Sequence, residues 1–147
     1  MLPKTVIFDL DGTIADYEHR RHFVEKEKKE WDSFHGACEK DAPQEWCVNL
    51  MHMLQREGIL VAIVTGRPDN FKAQTKEWLS RHGIGYDMLH MVKHGDHRND
   101  NIIKKEIYDE EFKDKFNVLF VIDDRKRVVD MWRSIGLTCL QCAEGDF

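Results

Sequence analysis

Apolar positions along the chain follow two rhythms that alternate from one end to the other. Three unbroken runs, Val6–Phe8, Ile59–Val64 and Val118–Ile122, stop abruptly in the polar clusters Asp9-Leu10-Asp11-Gly12-Thr13, Thr65-Gly66-Arg67 and Asp123-Asp124-Arg125. Short runs rich in Val, Ile and Phe predict strands covered on both faces. Between them the apolar residues recur at helical spacing. Pro43 opens a helix to about Glu57, with Trp46, Leu50, Met51 and Leu54 on one stripe and Gly58 as its stop. Asp69-Asn70 can cap a second helix bearing Phe71, Trp78 and Leu79, which closes near His82-Gly83. Met88–Val92 reads as a short strand, and His94–Asn101 is too rich in turn formers to be regular. A helix from Asp100 or Asn101 carries Ile103, Ile107, Tyr108, Phe112 and Phe116. Another carries Val128, Val129, Met131, Trp132 and Ile135 up to Gly136, and Leu137–Cys142 makes a last strand. The alternation predicts an α/β fold with a doubly wound parallel sheet.

One stretch breaks the rhythm. From Asp16 to Asp41 apolar residues are sparse and opposite charges fall at helical spacings, notably in Glu25-Lys26-Glu27-Lys28-Lys29-Glu30, so most of it reads as a solvated helical face. His19, Arg20, Arg21 and His22 precede that run, close after the first polar cluster.

At 147 residues and 41% hydrophobic content, residues 1–147 are expected to form one domain. Charged residues make up 33% with both signs interspersed and a net charge of −5, so a polyanion would have to be met locally. No run reaches transmembrane length, the first residues carry no signal-peptide pattern, and a cytoplasmic setting is expected. There Cys38, Cys47, Cys139 and Cys142 are expected as thiols. Cys139 and Cys142 have the spacing of half a zinc site, but the other two cysteines form no matching pair.

In an open parallel sheet ligands bind beyond the carboxyl ends of the strands, so Asp9, Asp11, Thr65, Arg67, Asp123 and Asp124 should converge at one edge. On a regular strand Asp9 and Asp11 share a face, and neighbouring carboxylates repel unless a cation or a shared proton relieves them. Taken alone, Asp11-Gly12 fits a hairpin turn with solvated carboxylates equally well. Three strands that end alike favour a site.

Asp9-x-Asp11-Gly12-Thr13, Val64-Thr65-Gly66, a later lysine and Ile122-Asp123-Asp124, in this order and in strand contexts, resemble the four motifs of the haloacid dehalogenase (HAD) superfamily of phosphotransferases. The resemblance implies a HAD-like sheet with residues 16–41 as a rudimentary cap over an open site. It implies that Asp9 attacks phosphorus to form an aspartyl-phosphate, and that Asp11 protonates the leaving oxygen and then deprotonates water. The implied cofactor is Mg²⁺, held by the Asp9 carboxylate, the Asp11 backbone carbonyl and a carboxylate from Asp123, with Asp124 behind it or in its place. Thr65 would donate to a phosphoryl oxygen, Gly66 would admit close approach, and Arg67 would clamp phosphate with two parallel bonds. Lys104 is taken as the motif lysine and Lys105 as a solvated helix charge.

A narrower resemblance lies in the second half. Gly95-Asp96-x-Arg98-x-Asp100, Lys104-x-Glu106-Ile107, Ile122-Asp123-Asp124-Arg125, Val128-Val129-x-Met131-Trp132-Arg133 and Gly145-Asp146-Phe147 resemble the 3′-phosphatase domain of bacteriophage-type polynucleotide kinase/phosphatase. That implies removal of 3′-phosphate from nucleic-acid ends or 3′-nucleotides, in repair of broken RNA or DNA. Carried over residue by residue, it gives roles to Asp9, Asp11, Arg20, Arg67, Asp100, Lys104 and Asp123. Arg20 and Arg67 would bind substrate or phosphate, and Asp100 would orient Lys104 by a carboxylate–ammonium contact. Asp96 and Arg98 fit an ordered polar turn as well. No Gly-x-x-x-x-Gly-Lys-Ser/Thr loop occurs, so no kinase domain and no 5′-kinase activity are expected of these residues. Val92 stands where that family often has an arginine, with Lys93 beside it as a substitute. The alternative enzyme is a HAD phosphatase of small molecules or nucleoside monophosphates. A catalytically idle phosphate-binding module would lack Asp9, Asp11 or Lys104, and all three are present.

Overall fold

A computed structural model describes residues 1–145. Strand β1 (Lys4–Phe8) is followed by the two-residue β2 (Ala15–Asp16), a 3₁₀ turn Glu18–Phe23, the short helix α1 (Trp31–Gly36) and β3 (Ala42–Pro43). Then come α2 (Glu45–Arg56), β4 (Leu60–Pro68), α3 (Lys72–Arg81), β5 (Met88–Val92) and α4 (Asp100–Ile107). The chain continues through a π turn, Tyr108–Phe112, into β6 (Asn117–Arg125), α5 (Lys126–Ser134) and β7 (Cys139–Gly145).

Five strands form a wholly parallel sheet in the order β5-β4-β1-β6-β7. Successive residues of β1 point to opposite faces, and both faces are covered. Val6 and Phe8 pack with Cys47 and Met51 of α2 and with Trp78 and Leu79 of α3. Ile7 packs with Phe112 and with Val128, Val129 and Trp132 of α5. Two cores on one strand explain why Val6–Phe8 shows no polar alternation. The chain winds outward from β1 through β4 and β5, then crosses back to β6 and β7. The winding reverses between β1 and β6, which opens a crevice at their carboxyl ends. The fold is the expected doubly wound α/β sheet.

Several local expectations are corrected. Pro43 belongs to β3, paired antiparallel with Ala15, and Gln44 N–H donates to Ile14 C=O at 2.8 Å, so α2 starts only at Glu45. Asp69 does not cap a helix; its carboxylate accepts from the His94 N–H at 3.0 Å, tying the end of β4 to the loop after β5. Leu137 still completes α5, donating to Trp132 C=O, and β7 begins at Cys139. The Glu25-to-Lys28 run forms bends rather than a helix, although Lys26 and Glu30 pair at 3.0 Å. With no apolar stripe to bury, its charges satisfy one another locally without a helical ladder. Around it Tyr17, Val24 and Phe34 make a small core of their own. All four cysteines are thiols. Among the described residues no helix is long and apolar enough to cross a membrane. Asp146 and Phe147, part of the terminal motif, lie outside the described residues.

Candidate active site

The β1 register carries the first carboxylate into place. Asp9 N–H donates to Ile122 C=O at 2.9 Å, which keeps it alongside β6, and Gly12 then turns the chain with φ of +82°. A Cβ on Gly12 would lie 2.2 Å from Asp124 Oδ2, so only glycine fits. Asp9, Asp123 and Asp124 are all buried, and one oxygen from each comes within 4.8 Å of the others. The Lys104 ammonium, fully buried at the floor of α4, donates to Asp9 Oδ1 at 2.8 Å and to Asp123 Oδ2 at 2.9 Å. Burial and the neighbouring Asp123 hold Asp9 well above the usual carboxylate range, with Lys104 pulling the other way. Burial and Asp123 likewise push Asp124 up to about 6. Burial works against the charge of Lys104, but Asp123 and Asp9 outweigh it and its pKa rises. Three clustered acids with one cation between them are short of positive charge. Buried oxygen ligands in that state fit a hard divalent cation.

Asp11 meets the opposite surroundings. Arg67 Nε lies 3.1 Å from both of its oxygens, Arg67 Nη2 lies 2.6 Å from Oδ1, and Arg20 Nη2 donates to the same oxygen. Burial raises the Asp11 pKa, but Arg67 and Arg20 more than offset it and hold the carboxyl far below its ordinary value. Both guanidinium groups are fully buried and engaged elsewhere as well. Arg20 donates through Nε to Asp41 Oδ1 at 2.8 Å, through Nη2 to Asp41 Oδ2 at 2.6 Å, and through Nη1 to Phe34 C=O at 3.0 Å. Arg67 Nη1 donates to Thr75 Oγ1 at 3.0 Å. Asp11 and Asp41 therefore share two cations. As placed, Arg20 and Arg67 hold Asp11 rather than reaching into open space for phosphate.

The expected contact between Asp100 and Lys104 is absent. Asp100 instead accepts from Arg125 Nη1 at 2.6 Å and Arg127 Nε at 3.0 Å, because Arg125, the last residue of β6, and Arg127, in the first turn of α5, approach the start of α4. Lys104 acts on Asp100 only through its field. Thr65 is buried and its hydroxyl accepts the Arg67 N–H at 3.1 Å, whereas Gly66 lines the site cavity. Lys105 pairs with Asp109 at 2.9 Å on the exposed face, in keeping with a solvated helix charge. Arg98 is clasped by Asp96 at 2.8 Å and by Glu106 at 2.5 Å on the rim. Val92 lines the cavity, and Lys93 is not among the residues that line it.

Asp9, Asp11, Lys104, Asp123 and Asp124 line one cavity of about 720 Å³, which Trp31 and His35 of α1 and Arg125 line as well. Sequence reading missed Asp41, Trp31 and His35. For Asp41 a signal existed: an arginine placed in a site next to carboxylates and carried by a buried strand demands a further counter-charge. A model of the polynucleotide kinase PNKP phosphatase domain, of HAD type, matches residues 3–147. The chain belongs to that family. It is therefore a HAD phosphatase domain. A chain in the structure of a Pnkp1/Rnl/Hen1 RNA repair complex is 36% identical, with a TM-score of 0.88 over 99% of this chain and 44% of that one. A bifunctional polynucleotide kinase/RNA ligase, so named in Autographa californica nuclear polyhedrosis virus, is 24% identical over 136 residues, 92% of this chain. This phosphatase domain thus spans under half of the first relative and 18% of the second. The class C acid phosphatase from Bacillus anthracis, 12% identical with a TM-score of 0.64 over 99% of this chain and 70% of that one, shares the fold alone.

Proposed function

We propose that this domain, with residues 16–41 as a small cap, is a Mg²⁺-dependent phosphomonoesterase that removes 3′-phosphate from polynucleotide ends or 3′-nucleotides through an aspartyl-phosphate. The observation that carries the reading is the Lys104 ammonium held between Asp9 and Asp123 in a cavity of about 720 Å³. A nucleophile is kept beside a cation, with room for an ester much larger than phosphate. Asp9, Asp123 and Asp124, with the Asp11 backbone carbonyl, would hold the metal. When bound, Mg²⁺ supplies positive charge to the phosphoryl oxygens and relieves the clustered carboxylates.

The remaining work falls to the chain itself. An Asp9 oxygen attacks phosphorus, the bond from phosphorus to the 3′-oxygen breaks, and that oxygen takes a proton from Asp11. Water then attacks phosphorus and gives a proton to Asp11, the bond from phosphorus to the Asp9 oxygen breaks, and inorganic phosphate leaves with the Asp9 carboxylate restored. Arg20 and Arg67 stabilise the ionised Asp11, the state that accepts from water, and Asp41 limits that bias by sharing them. Lys104 balances charge on nucleophile and phosphate throughout. Gly66, with no side chain at the cavity wall, lets the backbone approach the phosphoryl group.

The polynucleotide substrate is supported by the relative in an RNA repair complex and by the viral polynucleotide kinase/RNA ligase. Phosphate release with Mg²⁺ from a 3′-phosphorylated oligonucleotide, its 5′-phosphorylated counterpart, a nucleoside 3′-monophosphate and a nucleoside 5′-monophosphate tests it. Release from 3′-ends only, lost in Asp9→Asn, is the expected result. Preference for the nucleoside 5′-monophosphate would sink the assignment in favour of nucleotide metabolism, a reading favoured only by Val92 and by the clasped Arg98, which leave fewer cations for a phosphate backbone.

A further inference from the structure

We propose that the His35 imidazole reads the ribose 2′-hydroxyl beside the scissile 3′-phosphate, so that ribonucleotide ends are preferred to deoxyribonucleotide ends, an inference that rests on the 3′-phosphatase reading above. His35 lines the site cavity although it is only 8% exposed. Its Nδ1 is sealed from solvent and, among the described residues, neither ring nitrogen has a hydrogen-bond partner. Buried polar groups in a folded chain are normally paired, so an imidazole left unpaired at a cavity wall points to a partner that the ligand brings. A sealed nitrogen without a partner is better tolerated as a lone pair than as an N–H. That assigns the ring proton to Nε2, which is not sealed.

The ring is held where this donor is useful. Trp31 lies 5.9 Å away and tilted by 23°, the Phe34 ring meets it at 5.3 Å and 69°, and Phe71 stands 5.8 Å away on the segment after β4. Rings pack around it, and its edge is left for a ligand. The guanidinium that holds Asp11 also holds the peptide before His35, since Arg20 donates through Nη2 to Asp11 Oδ1 and through Nη1 to Phe34 C=O at 3.0 Å. Asp11 is the acid that protonates the leaving 3′-oxygen in the proposed reaction, and the 2′-hydroxyl sits on the adjoining carbon. Burial, aided by Arg67, Arg20 and Arg125 against the pull of Asp11, pushes His35 down to about 4. Near neutral pH the ring is therefore uncharged and suited to a hydroxyl rather than to a phosphate.

The test measures kcat/KM for phosphate release from two 3′-phosphorylated oligonucleotides that differ only in the terminal sugar, ribose or 2′-deoxyribose, with wild type, His35→Phe and His35→Gln. Wild type should prefer the ribose end by about tenfold, the effect of one hydrogen bond whose loss leaves a buried donor unpaired. His35→Phe keeps a ring among the rings but has no nitrogen. It should lose about tenfold more on the ribose end than on the deoxyribose end and bring the preference close to one. His35→Gln, which offers an amide N–H at similar reach, should keep part of the preference. A wild type that is indifferent to the sugar or favours deoxyribose, or a His35→Phe variant with the wild-type preference, overturns the assignment and leaves the phosphatase reading standing. The wild-type comparison decides even where a variant fails to fold. Release from neither 3′-end overturns the 3′-phosphatase reading as well.

Discussion

Asp9 and Asp11 stand two residues apart on one strand end, yet they live in opposite electrostatic worlds. Asp9 sits with Asp123 and Asp124 and has a single cation, Lys104, between them. Asp11 sits against two buried guanidinium groups and must share them with Asp41. One cluster is short of positive charge, and the other is balanced within the chain. Residue type alone therefore does not fix a carboxylate's chemistry. Its counter-charges decide whether it awaits a cation or holds a fixed one.

The largest effect should separate the two clusters by variant. Asp9→Asn should lower kcat/KM by at least about 10⁴-fold, as loss of a covalent nucleophile does. Without metal it should melt no lower than wild type, because one of three repelling carboxylates is gone. Asp11→Asn should also remove activity but lower stability by roughly 3–5 kcal/mol, since it strands buried arginine charge. A thermal melt of the two variants side by side breaks the comparison if both move the same way.

Next in size, Asp41→Asn should cost on the order of 10²-fold in kcat/KM although Asp41 does not line the cavity, because Arg20 loses its anchor and Asp11 drifts. Unchanged kinetics in a folded Asp41→Asn variant would count against shared arginines.

A pH comparison sharpens the picture further. Asp124 titrates near 6 in the folded chain and near 3.9 when unfolded, so between those values the folded state binds the extra proton. Its contribution to stability is thus present at low pH and lost as pH rises through about 6. Relative to wild type without metal, Asp124→Asn should gain roughly 2–3 kcal/mol between about pH 4 and pH 6.5. His35, held neutral in the fold, contributes with the opposite sign over much the same range, so the difference between variant and wild type is the quantity to read. Adding Mg²⁺ should raise the melting temperature of wild type more than that of Asp124→Asn; equal rises would mean that the metal is held without Asp124. The smallest effect belongs to Lys105→Ala. An exposed i,i+4 pair is worth at most about 0.5 kcal/mol, so activity should stay within about twofold of wild type.

Much of this arrangement was legible in the residues. The sheet was readable because β1, β4 and β6 are buried on both sides, which leaves unbroken apolar runs, and because each run stops at polar side chains. That placed Asp9, Asp11, Arg67, Asp123 and Asp124 at one edge, where they lie. Residues 16–41 were not readable in the same way. Their charges mimic helical spacing, but that spacing serves local pairs such as Lys26–Glu30, and the apolar anchors Tyr17, Val24 and Phe34 are too scattered to show a period. The arginines signalled a further counter-charge, but nothing in Lys40-Asp41-Ala42 marked Asp41 among the many acids as the one that supplies it. Its burial depends on two arginines that reach it from 21 and 26 positions away. Asp100 was misjudged for a related reason: Arg125 and Arg127 belong to a different segment, and only the packed fold brings them closer to it than Lys104.

The pairing of β2 with β3 and the Arg20–Asp41 contact have a further meaning for how this fold can change. They pinch the base of residues 17–41 shut, so the stretch behaves as a closed loop whose exposed tip, Glu25 to Lys28, pairs with its own neighbours, Glu25 with Arg21 and Lys26 with Glu30. Doubling such a loop costs only about 0.6 kcal/mol in closure entropy. New length could enter at that tip and carry Trp31 and its neighbours to a different reach over the cavity, while the groups that break the phosphate bond stay where they are. Recognition and chemistry are thereby free to evolve at different speeds within 147 residues.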